Sequence, residues 1–423
     1  MNLKISLITL ILITSHGLSA KELRQTNPEK VGMSSERLLR MEASNQRYVD
    51  EGKLAGVMTM IARKGKVVHV DAAGTMGIEN TTAINEKTLF RIFSMTKPIT
   101  AVALMMLHEE GLFQLSDPVA KFLPEFSDLE VWTADENVAA AGSITMRQLL
   151  THTSGLSYGF DPKDPVDQLY GQALRSSPVD LDEFTQLVAG LPLKFEPGER
   201  WHYSVASDVL GAVAEKISGQ SFDQLLKQRI FDALDMRDTF FDVPADQVER
   251  LVDNHYWNPA EKQLVKMPIG GIYNPPTSDV TLFLGGQGLV STIGDYMKFA
   301  EMLRNGGAYE GKRLLSPKTI DFMTRNHLSA MTNISGSGEA PVSGLESSAP
   351  GTGFGLGFGI LTDPIEAGVM ASKGSYFWGG AAGTIFWIDP EEELVGIAMM
   401  QLMGSPWAFR KEMMVLSYQA ITE

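Results

Sequence analysis

The chain reads as an α/β protein of the α+β type: one antiparallel sheet built from both chain ends, flanked by helices, with a mainly helical region inserted between them. Three observations predict this. Ala55 to Ala62 and Val67 to Ala73 are two apolar runs joined by the polar turn Arg63-Lys64-Gly65-Lys66, the pattern of a hairpin. Strand texture returns only toward the other end, in Gly353 to Ile360, Ser375 to Ile388 and Leu394 to Gln401. From about residue 115 to residue 285, Pro and Gly instead punctuate short helical patterns. Strands from the two ends can share one sheet, and its apolar faces then need helices to cover them.

The elements follow in order. Ser34-Ser35-Glu36-Arg37 caps a helix with Leu38, Leu39 and Met41 at its apolar positions. After the hairpin, Thr88 to Phe93 is strand-like and leads into a helix over Pro98 to Leu112, with Ile99, Val102, Ala103, Met106 and Leu107 on its apolar side. The inserted region carries helical patterns at Thr145 to Leu150, Leu181 to Ala189, Ser204 to Ser218 and Phe222 to Leu234. Gly353 to Ile360 alternates small and large residues with the period of a strand, and Asp389-Pro390-Glu391-Glu392-Glu393 turns the chain between the last two strands. A helix over Pro406 to Ala420 closes the chain, and the Ser-, Gly- and Ala-rich residues 330–352 read as a mobile surface loop.

Composition narrows the function classes. The 423 residues carry a formal charge of -15, and no basic cluster offsets it, which excludes a phosphate backbone, and so nucleic acid, as partner. With no cysteine the chain has no disulfide, no thiol nucleophile, no Cys-ligated zinc and no lipid on an N-terminal cysteine. Residues 1–20 differ from the rest: Lys4 supplies a positive charge, Ile5 to Thr14 is a short apolar run, and Gly17-Leu18-Ser19-Ala20 precedes the charged Lys21-Glu22. That is the layout of a cleaved secretory leader, ahead of one domain over 21–423. The run falls short of the roughly 20 residues needed to span a bilayer, so the expectation is an exported protein, periplasmic or secreted, with no stable membrane span after cleavage.

The chemistry-bearing residues lie in three places. Ser94-Met95-Thr96-Lys97 sits between the strand-like stretch and the helix, and residues three apart share a helix face, which sets the Lys97 amine beside the Ser94 hydroxyl. A serine hydroxyl needs a base, and lysine can serve only when a dry or positive environment keeps it neutral. Pro98 has no N–H to return to the Ser94 carbonyl, so the first turn should be irregular. Second, Tyr203 follows the Pro197-Gly198 turn, and its phenol near both groups would relay a proton to a leaving group. Third, Lys373-Gly374-Ser375-Tyr376-Phe377-Trp378-Gly379-Gly380-Ala381-Ala382-Gly383 leads into a strand, where glycines let substrate approach backbone N–H groups.

Ser-x-x-Lys, then Tyr, then a late Gly-rich strand resembles the serine β-lactamase and penicillin-binding-protein superfamily. Within it the chain looks most like the family VIII carboxylesterases, related to class C β-lactamases. The likeness takes in Leu150-Thr151-His152-Thr153-Ser154-Gly155-Leu156, Pro197-Gly198-Glu199-Arg200-Trp201-His202-Tyr203-Ser204, Gly288-Leu289-Val290-Ser291-Thr292 and Trp378-Gly379-Gly380. It implies a β-lactamase-like fold. It further implies Ser94 as the acylated nucleophile, Lys97 and Tyr203 sharing proton transfer, and the N–H groups of Ser94 and Ala381 as the oxyanion hole. Trp378, Gly379 and Gly380 would bind substrate.

Two positions depart from the β-lactamase pattern. Val205 stands where Tyr-x-Asn supplies an amide, and Trp378-Gly379-Gly380 stands where Lys-Thr-Gly supplies a lysine for the β-lactam carboxylate. Both favour uncharged esters over β-lactams. The expected substrates are small or medium, short-acyl carboxylic esters, small molecules cleaved with no cofactor and no metal. The same site could serve a β-lactamase, a D-Ala-type carboxypeptidase, an acyltransferase or a non-catalytic penicillin-binding-like sensor.

Other patterns compete for the role of site. Gly155-Leu156-Ser157-Tyr158-Gly159 matches the nucleophile elbow of α/β-hydrolases, but a helical stretch precedes it and the loop Asp161-Pro162-Lys163-Asp164-Pro165 follows, where a strand and a helix are required. His152, His202 and His255 are read as structural or surface histidines, and no two histidines have metal-ligand spacing with an acidic partner. The 22 Met fill core gaps. The glycines of Gly353 to Gly359 lie within a strand, not a strand-turn-helix, which argues against a dinucleotide site.

Overall fold

A computed structural model describes residues 23–134, 137–176, 178–270, 275–328 and 350–423. The leader expected over residues 1–20 and most of the loop expected over 330–352 lie outside the described residues. Ser34 caps helix α1 (Ser35–Asp50), its side chain accepting from the Arg37 N–H. The hairpin follows as β1 (Gly56–Arg63) and β2 (Lys66–Gly74). Only Lys64 and Gly65 separate them, both at positive φ (52° and 75°), the two-residue turn that matches strand twist.

Helix α2 (Thr96–Glu109) carries the Ser-x-x-Lys lysine. The inserted region supplies α3 (Met146–Leu150), α4 (Pro165–Ala173), α5 (Leu181–Ala189) and α6 (Ala206–Ser218). Helix α7 (Ile293–Arg304) leads back toward the sheet. Its remaining strands are β3 (Thr352–Phe354), β4 (Gly359–Leu361), β5 (Tyr376–Gly379), β6 (Ile385–Asp389) and β7 (Leu394–Met400), and α8 (Phe409–Tyr418) ends the chain.

The seven strands lie in the order β3-β4-β5-β6-β7-β1-β2. Strand β1, from the start of the chain, pairs antiparallel with β7 from its end, Val57 facing Met400 and Arg63 facing Leu394. Side chains of β1 alternate between two cores, as a strand's must. Met58, Met60 and Ala62 join the core shared with α2, α6 and α7. Val57 and Ile61 join the one beneath α1 and α8, with Leu38, Met41, Phe409 and Met413. Both faces are covered, so every residue of β1 is buried.

The structure corrects several sequence expectations. Leu39 faces solvent (55% exposed) while Leu38 and Met41 are buried, because α1 presents only one side to the sheet. Gly353 to Ile360 is not one strand but two, β3 and β4, with a turn closed by the Gly355 N–H to the Phe358 carbonyl at 2.8 Å. The Phe222 to Leu234 pattern is helical but interrupted, α-helix at Phe222–Leu226, a π turn at Lys227–Phe231, then α-helix again at Asp232–Leu234. Of Thr88 to Phe93 only Phe90–Arg91 is strand, paired with Val290–Ser291. Helix α2 begins two residues before Pro98, and α6 begins at Ala206 in place of Ser204.

Candidate active site

The nucleophile candidate is held by backbone strain and clamps on both sides. Phe93, buried and bulky, takes φ 44°, a left-handed conformation that a non-glycine residue adopts only when its surroundings enforce it. The preceding backbone is pinned: the Gln401 amide donates to the Arg91 carbonyl at 2.9 Å, and the Ile92 N–H donates to the Leu289 carbonyl at 3.0 Å. The chain then makes a 3-10 turn over Phe93–Met95 before α2 begins. This is the irregular first turn that Pro98 foretells. Within it Met95 N–H reaches Ile92 O, and Ser94 N–H is among the opening donors, which a helical turn does not itself pair.

Around Ser94 the predicted groups converge. Lys97 Nζ lies 3.1 Å from Ser94 Oγ, and the Tyr203 O–H donates to the same oxygen at 2.7 Å. Three further groups complete the set. Lys97 Nζ donates to Tyr158 OH at 3.0 Å and to the Gly286 carbonyl at 2.7 Å. Tyr158 O–H in turn donates to Asp208 Oδ2 at 2.9 Å, and the Gly286 N–H donates to Asp208 Oδ1 at 2.7 Å. Gly286 must be glycine here, since a Cβ would fall about 2.5 Å from Tyr158 OH and 2.6 Å from Asp208 Oδ2.

Burial sets the protonation states. Lys97 is 1% exposed, and loss of water pushes its amine down to about 7, while the Asp208 carboxylate works against that shift. Burial raises the Asp208 carboxyl as well, opposed by Lys97, the Gly286 N–H and the Tyr158 O–H. Both tyrosines are pushed up by burial and remain phenols, Tyr203 despite its hydrogen bond to Ser94.

The donors and acceptors close in one arrangement. Neutral Lys97 gives its two N–H to Tyr158 and Gly286, and its lone pair is left facing the Ser94 O–H. A hydroxyl aimed at an amine lone pair, with a phenol on its other side, is poised to lose its proton on attack.

Ser94 opens onto a cleft of about 660 Å³, lined mainly by apolar groups that include Phe93, Phe160, Phe184, Val205, Leu284 and Met403. Ala381 reaches this cleft beside Ser94. It sits inside the turn closed by Gly383 N–H to Gly380 O at 3.0 Å, with its own N–H left over by the turn. Gly380 allows the close approach, as any Cβ there would strike the Ile92 carbonyl and Thr384 Oγ1.

Trp378, Gly379 and Gly380 are not among the residues lining the cleft. Trp378 is buried with its ring 5.6 Å from Tyr203 and 5.2 Å from Phe354, and Gly379 makes room for the Arg410 guanidinium. They shape the wall and its turn from behind.

The competing residues lie elsewhere. Ser157 is buried and donates to Asp167 Oδ1 at 2.5 Å, with His202 Nε2 at 3.0 Å. His152 is buried against the Tyr203 ring (4.9 Å), and burial holds it neutral. His255 Nε2 accepts from the Ile78 N–H at 3.3 Å. Among the described residues no cluster of three His, Cys, Asp or Glu side chains could hold a metal, and no helix is long and apolar enough to cross a membrane.

Sequence reasoning missed Tyr158, Asp208 and Gly286. Tyr158 hid inside the failed elbow motif. Asp208 had a readable sign, the lone charged residue in the first turn of the mainly apolar stretch Val205 to Ala214.

Comparison with known proteins identifies the family of the fold that carries this site. The chain is 29% identical to esterase EstB of Burkholderia gladioli over 387 residues, 87% of this chain and 90% of that protein. Its fold matches EstCE1, described as a hydrolase with promiscuous acyltransferase activity, with TM-score 0.76 and 26% identity over 90% of this chain and 98% of the other. It also matches unliganded simvastatin synthase (LovD) of Aspergillus terreus, TM-score 0.77 and 25% identity, over 91% of this chain and all of that one. The beta-lactamase family model matches residues 41–417, and the chain belongs to that family as a serine hydrolase of its esterase-like branch.

Proposed function

We propose that the protein is a carboxylesterase that cleaves small or medium, short-acyl esters through an acyl-enzyme on Ser94. One observation carries the reading: Ser94 Oγ lies within 3.1 Å of both a buried amine near neutrality and a phenol, at the mouth of an apolar cleft. Ser94 Oγ attacks the ester carbonyl carbon, and its proton passes to Lys97. The N–H groups of Ser94 and Ala381 face the oxyanion. As the C–O bond to the alcohol breaks, the alcohol oxygen takes the Tyr203 proton, and the Lys97 ammonium restores it. Water then attacks the acyl carbon, its proton goes to the same pair, and Ser94 Oγ departs with a proton from Lys97. Val205 in the lining and the absence of a lysine at Trp378 support uncharged esters over β-lactams.

The test is hydrolysis of p-nitrophenyl acetate, butyrate and octanoate beside nitrocefin, with Ser94→Ala as control. Ester turnover abolished by the substitution, with little nitrocefin turnover, is the expected result. Full esterase activity in Ser94→Ala, or nitrocefin as the better substrate, refutes it.

A second reading has its own observation. The cleft is larger than a short acyl group needs, and its apolar wall can seat an alcohol in place of water. Transfer products formed with an added alcohol would establish acyl transfer at the same site. The leader-like residues 1–20 support export to the periplasm or medium, which fractionation of expressing cells would test.

A further inference from the structure

The elbow-like motif left over from the sequence sits in a buried polar network that the reaction does not use. Asp167, in α4, accepts from the Ser157 hydroxyl at 2.5 Å and from Lys194 Nζ at 2.8 Å on Oδ1, and from the Asp161 N–H at 2.9 Å on Oδ2. The hydrogen bonds to Ser157, Asp161 and Lys194 hold it as a carboxylate against the pull of burial, so Ser157 must be the donor in that pair. Its oxygen then has two lone pairs left, and two donors face them: the Gly159 N–H at 3.2 Å and His202 Nε2 at 3.0 Å. His202 therefore presents N–H, not a lone pair, to the serine.

This rules out a second nucleophile. The Ser157 proton is committed to a carboxylate, its lone pairs are filled, and the side chain is 1% exposed. Position in the chain gives the network its meaning. Ser157 immediately precedes Tyr158, which holds Lys97, and His202 immediately precedes Tyr203, which holds Ser94. The two segments are tied once more, Val205 N–H to the Ser157 carbonyl at 3.4 Å. Their phenol rings lie 5.3 Å apart.

We propose that Ser157, Asp167 and His202 are positioning residues that fix Tyr158 and Tyr203 on either side of the Ser94–Lys97 pair. The inference rests on the Ser94 acyl-enzyme reading and assigns what aligns it. A fixed hydroxyl between two loops sets both phenol oxygens at once. A displacement of the order of 1 Å at a reacting group can cost on the order of 100-fold in rate.

The experiment is active-site titration with a p-nitrophenyl ester, giving turnover per acylated site. In Ser157→Ala, kcat per titrated site should fall roughly 10- to 100-fold with KM within about threefold. A purely structural role would lower Tm and the number of titratable sites but leave turnover per site intact. A second pair separates alignment from folding: His202→Gln keeps an N–H donor and should retain most of the turnover per site, whereas His202→Ala should not. Unchanged turnover per site in Ser157→Ala, or equal loss in the two His202 variants, overturns the proposal. A burst that survives in Ser94→Ala and vanishes in Ser157→Ala would instead overturn the Ser94 reading itself.

Discussion

The sharpest prediction concerns the proton on Lys97. Burial brings its amine to about 7, more than three units below an ordinary lysine near 10.4. As the base it must be neutral, so kcat/KM should rise with pH. Roughly a tenth of the molecules carry the neutral amine at pH 6, about half at pH 7 and about nine-tenths at pH 8. The profile should therefore climb about tenfold from pH 6 to pH 8 and then level, with no descending limb from Tyr203 below about pH 9 because burial keeps it a phenol. An unperturbed lysine would give about tenfold per pH unit throughout that range.

Asp208→Asn supplies the perturbation. The carboxylate holds the Lys97 amine up, so its removal should move the ascending limb to lower pH. It should also lower the plateau, because Tyr158 and Gly286 both donate to that carboxylate. The assay is initial-rate hydrolysis of an alkyl butyrate in a pH-stat from pH 5 to 9, with thermal melts at each pH to separate unfolding. A flat profile or a limb moved upward in Asp208→Asn would refute the assignment of Lys97 as base, and a limb still climbing tenfold per unit at pH 9 would refute the lowering of its amine by burial.

Three further outcomes are expected. Lys97 is protonated in the unfolded chain up to about pH 10.4 and in the folded one only to about 7, so unfolding takes up a proton between those values and stability rises with pH across that window. Lys97→Met should accordingly abolish turnover and remove the rise of stability with pH between about 7 and 10, read from denaturant melts at each pH. Gly380→Ala drives a methyl into the Ile92 carbonyl and Thr384, displacing the Ala381 N–H, and should cost about 100-fold in kcat with a folded circular-dichroism spectrum. Phe160, stacked on Tyr158 at 5.2 Å, walls the cleft, so Phe160→Ala should raise KM for bulky esters about three- to tenfold and leave kcat for the acetate ester within about twofold.

What was legible in the sequence depended on how local its cause is. Ser94 and Lys97 come together by their spacing alone, and the irregular first turn follows from Pro98, whereas the left-handed Phe93 before them carries no sign in the sequence. The hairpin of β1 and β2 was readable because Lys64-Gly65 can take only a few turn conformations. Gly353 to Ile360 misled because alternation fits one strand or two short ones equally, and only the partner Tyr376–Gly379 decides how far β4 extends. Leu39 misled for a similar reason, since sequence shows a helix's apolar residues but not how narrow its buried side will be. Gly286 acts through its carbonyl and N–H, which every residue but proline supplies, and only the folded site shows why a Cβ is excluded there. Tyr158 lies 61 residues from Lys97 in the chain, and only the folded loop brings them together.

The β1–β7 pairing has a consequence for how the molecule comes into being. Gly56–Arg63 waits for Leu394–Met400 before its side of the sheet can close, so one of the most buried strands is completed by a segment far downstream in the chain. Contacts so distant along the chain make folding slow, and a nascent chain holds an unfilled slot at its heart until its final strands are released. The Ile92 carbonyl behind Ser94 abuts Gly380 and Thr384, which also come late. The turn that carries Ser94 is thus backed only once this downstream stretch is in place.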